Sequence, residues 1–270
     1  MYPELFSLGP VTVYSYGVLL AGSYLLGLWL AMRRAKRWGL DSKQVLDLGI
    51  YIIIAALIGA KLLLLVVDFD QFRRAPQELL SLARSGGVFY GGLTLAVVVA
   101  FWYIAKHRMP FWLTCDVFAP AIALGHVTGR LGCLAAGCCY GRPTHVPWAI
   151  TFTNPLAASN VGTPLNIPLH PTQLYEAGAE LLILVVLLAT EKKGRPFAGR
   201  TFWLYMFLYA VSRYVIEIYR GDPRGMVFDT FSTSQFISLI LAPLAILMLV
   251  RLSRRSPETP AVPRRKRAAA

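Results

Sequence analysis

Residues 45–67 read VLDLGIYIIIAALIGAKLLLLVV, and this run decides the class of the fold. Apart from Asp47 and Lys61 it carries no charge. At ~1.5 Å rise per residue, a helix of this length crosses the ~30 Å hydrocarbon layer of a bilayer. Runs of the same kind recur at 13–31, 88–105, 115–134, 174–189, 201–219 and 234–252. Their spacing predicts an all-α integral membrane protein of about seven transmembrane helices. Composition agrees: 56% of residues are hydrophobic and 15% charged, with a mean hydropathy of +0.53. Soluble domains carry about 25% charge, so a greasy soluble core is a poor reading.

A net charge of +13 would suit nucleic acid, but its distribution points to the bilayer instead. Arg33, Arg34, Lys36, Arg37 and Lys43 follow the first span, and Lys106 and Arg108 the third. Lys192, Lys193, Arg195 and Arg200 follow the fifth, and Arg251, Arg254, Arg255, Arg264, Arg265, Lys266 and Arg267 close the chain. Eighteen of the 27 Lys and Arg thus fall on one side, which is cytoplasmic by the positive-inside rule. The expected topology is N-terminus outside, C-terminus cytoplasmic, with no nucleic-acid partner. The first apolar run lacks a basic leader and a small-residue cleavage site, so it reads as a retained helix. Residues 1–252 form the membrane domain. Residues 253–270, rich in Pro and Arg, read as a disordered basic cytoplasmic tail against anionic lipid.

Nine basic residues lie outside that pattern: Lys61, Arg73, Arg74, Arg84, Arg130, Arg142, Arg213, Arg220 and Arg224. Arg73, Arg74 and Arg84 sit in a polar loop at 68–87, with a short amphipathic helix expected near 76–84. An arginine at a helix centre costs roughly 2.5–3.5 kcal/mol on insertion scales, so one at membrane depth marks function. Arg130 and Arg142 fall within residues 129–144, GRLGCLAAGCCYGRPT, with four glycines and three of the four cysteines. Glycine lets backbone approach a ligand, and the guanidinium fork matches phosphate. A lipid phosphate headgroup is the expected partner. Arg213 lies four residues from both Tyr209 and Glu217 on one helix face, with Arg220 two turns beyond, an arginine ladder for an anionic headgroup. Glu217 reads as an internal ion-pair partner of Arg213. Tyr16, Asp47, Asp116, Glu176 and Glu180 are further polar groups in or at the ends of spans.

The stretch 85–93, SGGVFYGGL, brackets Tyr90 with glycine pairs. It either brings backbone amides to an anion or packs two helices closely. Cys133, Cys138 and Cys139 leave three readings open: packing or a disulfide staple, a metal site completed by His126, His145 or His170, or a thiol nucleophile. Cys115 reads as a small buried hydrophobe.

Together these motifs resemble those of prolipoprotein diacylglyceryl transferase. Tyr16-Gly17 resembles the family's Tyr-Gly of span one, and Gly59-Ala60-Lys61 its Gly-Ala-Arg of span two. Residues 116–120 (DVFAP), Gly129-Arg130-Leu131-Gly132 and 140–144 (YGRPT) are similar to its signature region. Residues 170–177, HPTQLYEA, resemble its His-Pro-Ser-Gln-Leu-Tyr-Glu-Ala, and Tyr209, Arg213 and Arg220 its sixth-span residues. Two departures stand out. Tyr90-Gly91-Gly92 replaces His-Gly-Gly, and Cys133, Ala136 and Cys138 replace two asparagines and a glutamate of the signature.

The resemblance implies transfer of the diacylglyceryl group of phosphatidylglycerol to the lipobox cysteine of a prolipoprotein signal peptide, releasing glycerol 1-phosphate. It implies a multi-pass protein of the bacterial plasma (inner) membrane, with no cofactor and no metal. Arg130, Arg213, Tyr209 and Tyr90 are the expected catalytic residues. Tyr16, Lys61, Gly91, Gly92, Gly129, Gly132, Gly141, Arg142, His170, Gln173, Glu176 and Arg220 are the expected substrate-binding residues. Two other classes stay open: a non-catalytic lipid- or peptide-binding membrane protein on the same scaffold, and a related transferase using a chain cysteine.

Overall fold

The computed structural model describes residues 3–9, 11–74, 87–192, 197–222, 225–228 and 230–254. The helix expected near 76–84, Arg84 to Gly86, Arg224 and the tail from 255 lie outside the described residues. In chain order the elements are β1 (Glu4–Leu8), β2 (Val11–Tyr14), α1 (Ser15–Arg37), α2 (Ser42–Val67) and α3 (Phe69–Arg74). Then come α4 (Phe89–Lys106), α5 (Phe111–Ala136), β3 (Ile150–Thr151), α6 (Pro155–Val161) and β4 (Pro168–Leu169). The chain continues with α7 (Thr172–Lys192), α8 (Arg200–Glu217), β5 (Met226–Val227), β6 (Phe231–Ser232) and α9 (Thr233–Ser253).

Every expected span is a helix: α1, α2, α4, α5, α7, α8 and α9. Six of them are long and apolar enough to cross a membrane; α8 is not among the six. Its 18 residues include Arg200, Arg213 and Glu217, which dilute the hydropathy that defines the others. The connecting segments add three two-stranded antiparallel ladders that no sequence period announced.

Two compact units make up the chain, one of residues 1–31 and 115–270, the other of residues 32–114. In the second unit, α2 lies against α4 with glycines at the contact. A Cβ on Gly59 would run into the Gly91 carbonyl and Leu95, and one on Gly91 into the Gly59 carbonyl and Leu63. Gly92 backs onto the Ala56 carbonyl in the same way. Small residues that let helix backbones approach are what membrane helices use in place of a hydrophobic drive. Of the two readings for Gly91-Gly92, helix packing is therefore the one seen. Asp41 caps α2, its Oδ1 accepting from Lys43 N at 2.8 Å.

In the first unit, α7 packs on α8 and α8 on α9. Ala119 and Ala123 of α5 meet Ile183, Leu184 and Leu187 of α7 and Tyr205 of α8 in one buried cluster. Asp116, wholly buried on α5, caps α8 from outside: Oδ2 accepts from Gly199 N at 2.8 Å and Oδ1 from Phe202 N at 2.9 Å. Thr201 Oγ1 donates to the buried Glu191 of α7 at 2.7 Å. These bonds fix the start of α8, and with it the angular position of every α8 side chain named below. Ser232 and Gln235 form a reciprocal capping box at the start of α9.

Candidate active site

Four positions at helical spacing build the centre of the first unit. His126 and Arg130 lie one turn apart on α5, and Glu176 and Glu180 one turn apart on α7. Across this pair of faces His126 Nδ1 meets Glu180 Oε1 at 2.8 Å. Arg130 Nε pairs with Glu176 Oε2 and donates to His126 Nε2 at 3.2 Å. A His Nε2 that accepts leaves Nδ1 as the donor, so Glu180 fixes the tautomer.

Glu176 is the hub. Besides Arg130 it takes Arg213 NH1 at 2.5 Å and Arg220 NH1 at 3.2 Å, both on Oε1. Arg213 NH2 in turn reaches Glu217 Oε2 at 2.5 Å and donates to Ser234 Oγ of α9 at 3.0 Å. Arg220 closes a fork on Asp222, with Nε and NH2 each at 2.8 Å. Buried charges persist only when paired, and here three guanidiniums and the carboxylates of Glu176, Glu217 and Asp222 balance one another. The expected Arg213–Glu217 ion pair is present. Arg220, however, is not on the α8 stripe: the helix ends at Glu217, and Arg220 reaches Glu176 from the turn beyond.

The arginines differ in what they have left to offer. Arg213 and Arg220 commit their terminal nitrogens to carboxylates, and their side chains are 6% and 2% exposed. Arg130 makes both of its contacts through Nε, and its side chain is 16% exposed. The planar NH1/NH2 fork of Arg130 is thus engaged by neither Glu176 nor His126.

Beyond Ala136 the chain turns sharply. Gly137 takes φ 80°, with Gly137 N bonded to Leu134 O and Cys138 N to Cys133 O, the double closure of a Schellman motif. Cys139 also adopts a left-handed φ of 61°, uncommon for a residue with a Cβ. Three side chains hold this turn by its carbonyls. Thr163 Oγ1 donates to Gly137 O at 2.7 Å, Gln173 Nε2 to Cys138 O at 2.7 Å and Thr172 Oγ1 to Cys139 O at 2.8 Å. The thiols of Cys133, Cys138 and Cys139 are free, and their Sγ atoms lie within 4.8 Å of one another. The disulfide staple, one of the readings for these cysteines, is not formed; capped carbonyls hold the loop instead. The Cys138 thiol donates to the Cys133 carbonyl at 3.7 Å.

The next residues run as a strand between two neighbours. Gly141 N donates to His170 O at 3.1 Å and His170 N to Arg142 O at 3.0 Å. On the other side Arg142 N donates to Tyr219 O at 2.8 Å and Gly221 N to Tyr140 O at 3.1 Å. A Cβ on Gly141 would strike the His170 and Tyr219 carbonyls, so only glycine fits between them. Arg142 itself is exposed, its Nε donating to Arg220 O at 3.1 Å. His170 Nδ1 lies 3.0 Å from Tyr175 OH, which also accepts from Trp148 Nε1 at 2.8 Å.

Most of the expected site residues therefore converge. Tyr16 packs at Gly132, where a Cβ would come within 3.4 Å of its ring. Tyr209 lies beside the His126 ring, centroids 5.7 Å apart. Gly129 faces open space. Lys61, Tyr90, Gly91 and Gly92 belong to the other unit; Tyr90 is exposed there, edge-on to Phe89 at 5.6 Å. The pairing role of His126 with Glu180 was not read from the sequence, although the matched i, i+4 spacings of His126/Arg130 and Glu176/Glu180 carried the signal.

The sequence profile of the family described as prolipoprotein diacylglyceryl transferase matches residues 3–251. A phosphatidylglycerol–prolipoprotein diacylglyceryl transferase of Clostridium tetani is 37% identical over 248 residues, covering 92% of this chain and 96% of that one. The protein of the same name from Vibrio cholerae serotype O1 is 35% identical over 254 residues, 92% of this chain and 90% of its own. That of Finegoldia magna is 27% identical over 250 residues, 93% and 95% respectively.

Proposed function

The chain belongs to the prolipoprotein diacylglyceryl transferase family, and from that premise we propose how its residues carry out the transfer. The enzyme moves the diacylglyceryl group of phosphatidylglycerol to the cysteine thiol of a prolipoprotein, the first step of bacterial lipoprotein maturation. The bond that breaks joins the glyceryl carbon to a phosphate oxygen, which departs with the electron pair as glycerol 1-phosphate. The bond that forms joins that carbon to the acceptor sulfur, whose proton must leave first.

The single observation carrying the assignment is the arginine centre gathered on Glu176, with the Arg130 fork left out of the ion-pair network. Arg130 holds the phosphate of the lipid through that fork, and charge-assisted bidentate bonds strengthen as the leaving oxygen gains charge. His126, locked by Glu180, positions Arg130 through Nε. Arg213 and Arg220 act through Glu176, keeping its carboxylate from neutralising Arg130 alone. Tyr209 and Tyr16 orient the headgroup, and Arg142, His170 and Gln173 belong to the loop wall of the site. Tyr90 and Lys61 remain proposed substrate contacts contributed by the second unit, where Gly91 and Gly92 serve the α2–α4 packing. The chain crosses the bacterial plasma membrane seven times, α8 included, with the N-terminus outside and the signature loop on the external side. The positive-inside distribution of Lys and Arg supports that orientation.

The test is direct: purified protein in phosphatidylglycerol-containing nanodiscs is incubated with a lipobox peptide. A mass increase of one diacylglyceryl group on the peptide cysteine is expected, and its absence removes the assignment. The non-catalytic reading predicts lipid or peptide binding with no mass change.

A further inference from the structure

We propose that Cys133, Cys138 and Cys139 form a three-thiolate site for a thiophilic divalent cation of the zinc class, whose open fourth position takes the acceptor cysteine of the substrate. The inference rests on the diacylglyceryl-transfer reading for the identity of that fourth ligand.

The geometry carries it. The three Sγ atoms already lie within 4.8 Å of one another and belong to free thiols. A tetrahedral zinc with Zn–S bonds of ~2.3 Å sets its sulfurs ~3.8 Å apart, so closure onto the ion asks for side-chain adjustments of about 1 Å or less. The backbone beneath the thiols is held by the Schellman closure and by Thr163, Gln173 and Thr172 on three successive carbonyls. Such a support presents the sulfurs from a fixed frame. Among the described residues no His, Asp or Glu joins the group; His126 is bonded to Glu180 and Arg130, and His170 to Tyr175. Three protein ligands with a vacant fourth position is the pattern of catalytic rather than structural zinc.

Place and chemistry agree. Arg130 lies one turn before Cys133 on α5, and Gly221, next to Arg220, donates to the carbonyl of Tyr140, next to Cys139. Three thiolates on a divalent cation carry one net negative charge, which suits two guanidinium neighbours. The transfer needs a thiolate at neutral pH, and the position of the family's histidine holds Tyr90. A metal supplies what that position does not, because a thiol that coordinates is deprotonated on binding. The acceptor R–SH binds the metal as R–S⁻ and releases its proton to water. The bound sulfur then attacks the glyceryl carbon, the carbon–oxygen bond to phosphate breaks, and glycerol 1-phosphate leaves with the pair. The thioether formed is a weaker ligand than a thiolate and vacates the site.

Cobalt(II) is the probe. Full-length protein, purified with a non-thiol reductant and freed of metal, is titrated with Co²⁺ and then with a lipobox peptide. One equivalent should raise a near-ultraviolet thiolate-to-cobalt charge-transfer band. The peptide should strengthen that band by about a third as a fourth thiolate joins three, while a Cys→Ser peptide leaves it unchanged. Cys133→Ser, Cys138→Ser and Cys139→Ser variants, checked for monodispersity and unaltered helix content, should each weaken Co²⁺ binding at least tenfold. No band in folded protein, or a band indifferent to the peptide thiol, overturns the site. A parallel mass-spectrometric assay separates the two readings. Undiminished transfer by metal-free protein overturns the metal and keeps the transferase. Metal and thiol binding with no transfer keeps the site and overturns the transferase.

Discussion

Glu176 answers three guanidiniums with one carboxylate, and this makes it the most sensitive single position in the site. Glu176→Gln keeps the shape and removes the charge, leaving Arg130, Arg213 and Arg220 short of a partner. Breaking a buried pair costs about 3–5 kcal/mol, so thermal unfolding in detergent should shift sharply downward. Arg130→Lys should behave differently. The Nε contacts are lost with the fork, but a cation remains near Glu176, so stability should fall little while transfer falls by about 10²–10³. Near-normal turnover in Arg130→Lys would take Arg130 out of phosphate binding. Arg130 and Arg213 were visible in the sequence because an arginine in an apolar run has few bland explanations. Their common partner was not, since Glu176 lies 37 residues from Arg213 and 44 from Arg220. No local period links residues so far apart.

Among the elements, α8 depends most on help from elsewhere. Its N-terminus begins at Gly199 in a left-handed conformation with no cap from its own segment. Asp116 of α5 satisfies two of its amides. Asp116→Ala should cost about 0.5–2 kcal/mol, the usual range for a lost cap, and more than Asp41→Ala on exposed α2. Because the same bonds set where Tyr209 and Arg213 point, transfer should fall along with stability, measured by melting and by peptide mass shift on one preparation. The positions of all seven long helices were legible from hydropathy, since a span is a long signal. The two-residue ladders were not. The Gly141 strand draws its partners from His170 and Tyr219, and that pairing has no expression in the residues on either side of it. The glycine-rich sequence there reports a close backbone approach without saying to what.

For the molecule as a whole, the number of crossings decides where the ends lie. Six spans leave both termini on one side; seven leave them opposite, and α8 is the helix that makes the difference. A reporter fused after Arg255 should behave as cytoplasmic and one inserted at Asn160 as external, and accessible cysteine labelling at residue 4 should match the Asn160 side. Both ends on one side would withdraw α8 as a span. The knot of backbone around Gly141 has a further consequence, which concerns the order in which the protein is made. Its three strands are contributed by residues 140–142, 170 and 219–221, so the ribosome delivers them at widely separated times. Arg130 enters the bilayer before its counter-charge Glu176 has been translated, and the loop carrying the three thiols must wait for Thr172 and Gln173 before its carbonyls are covered. A nascent chain stopped at Lys192 therefore holds the anchored loop but lacks Arg213 and Arg220. The complete arginine centre cannot exist until Arg220 has been translated, whereas the turn that carries the thiols is left uncovered only for the interval between Cys139 and Gln173.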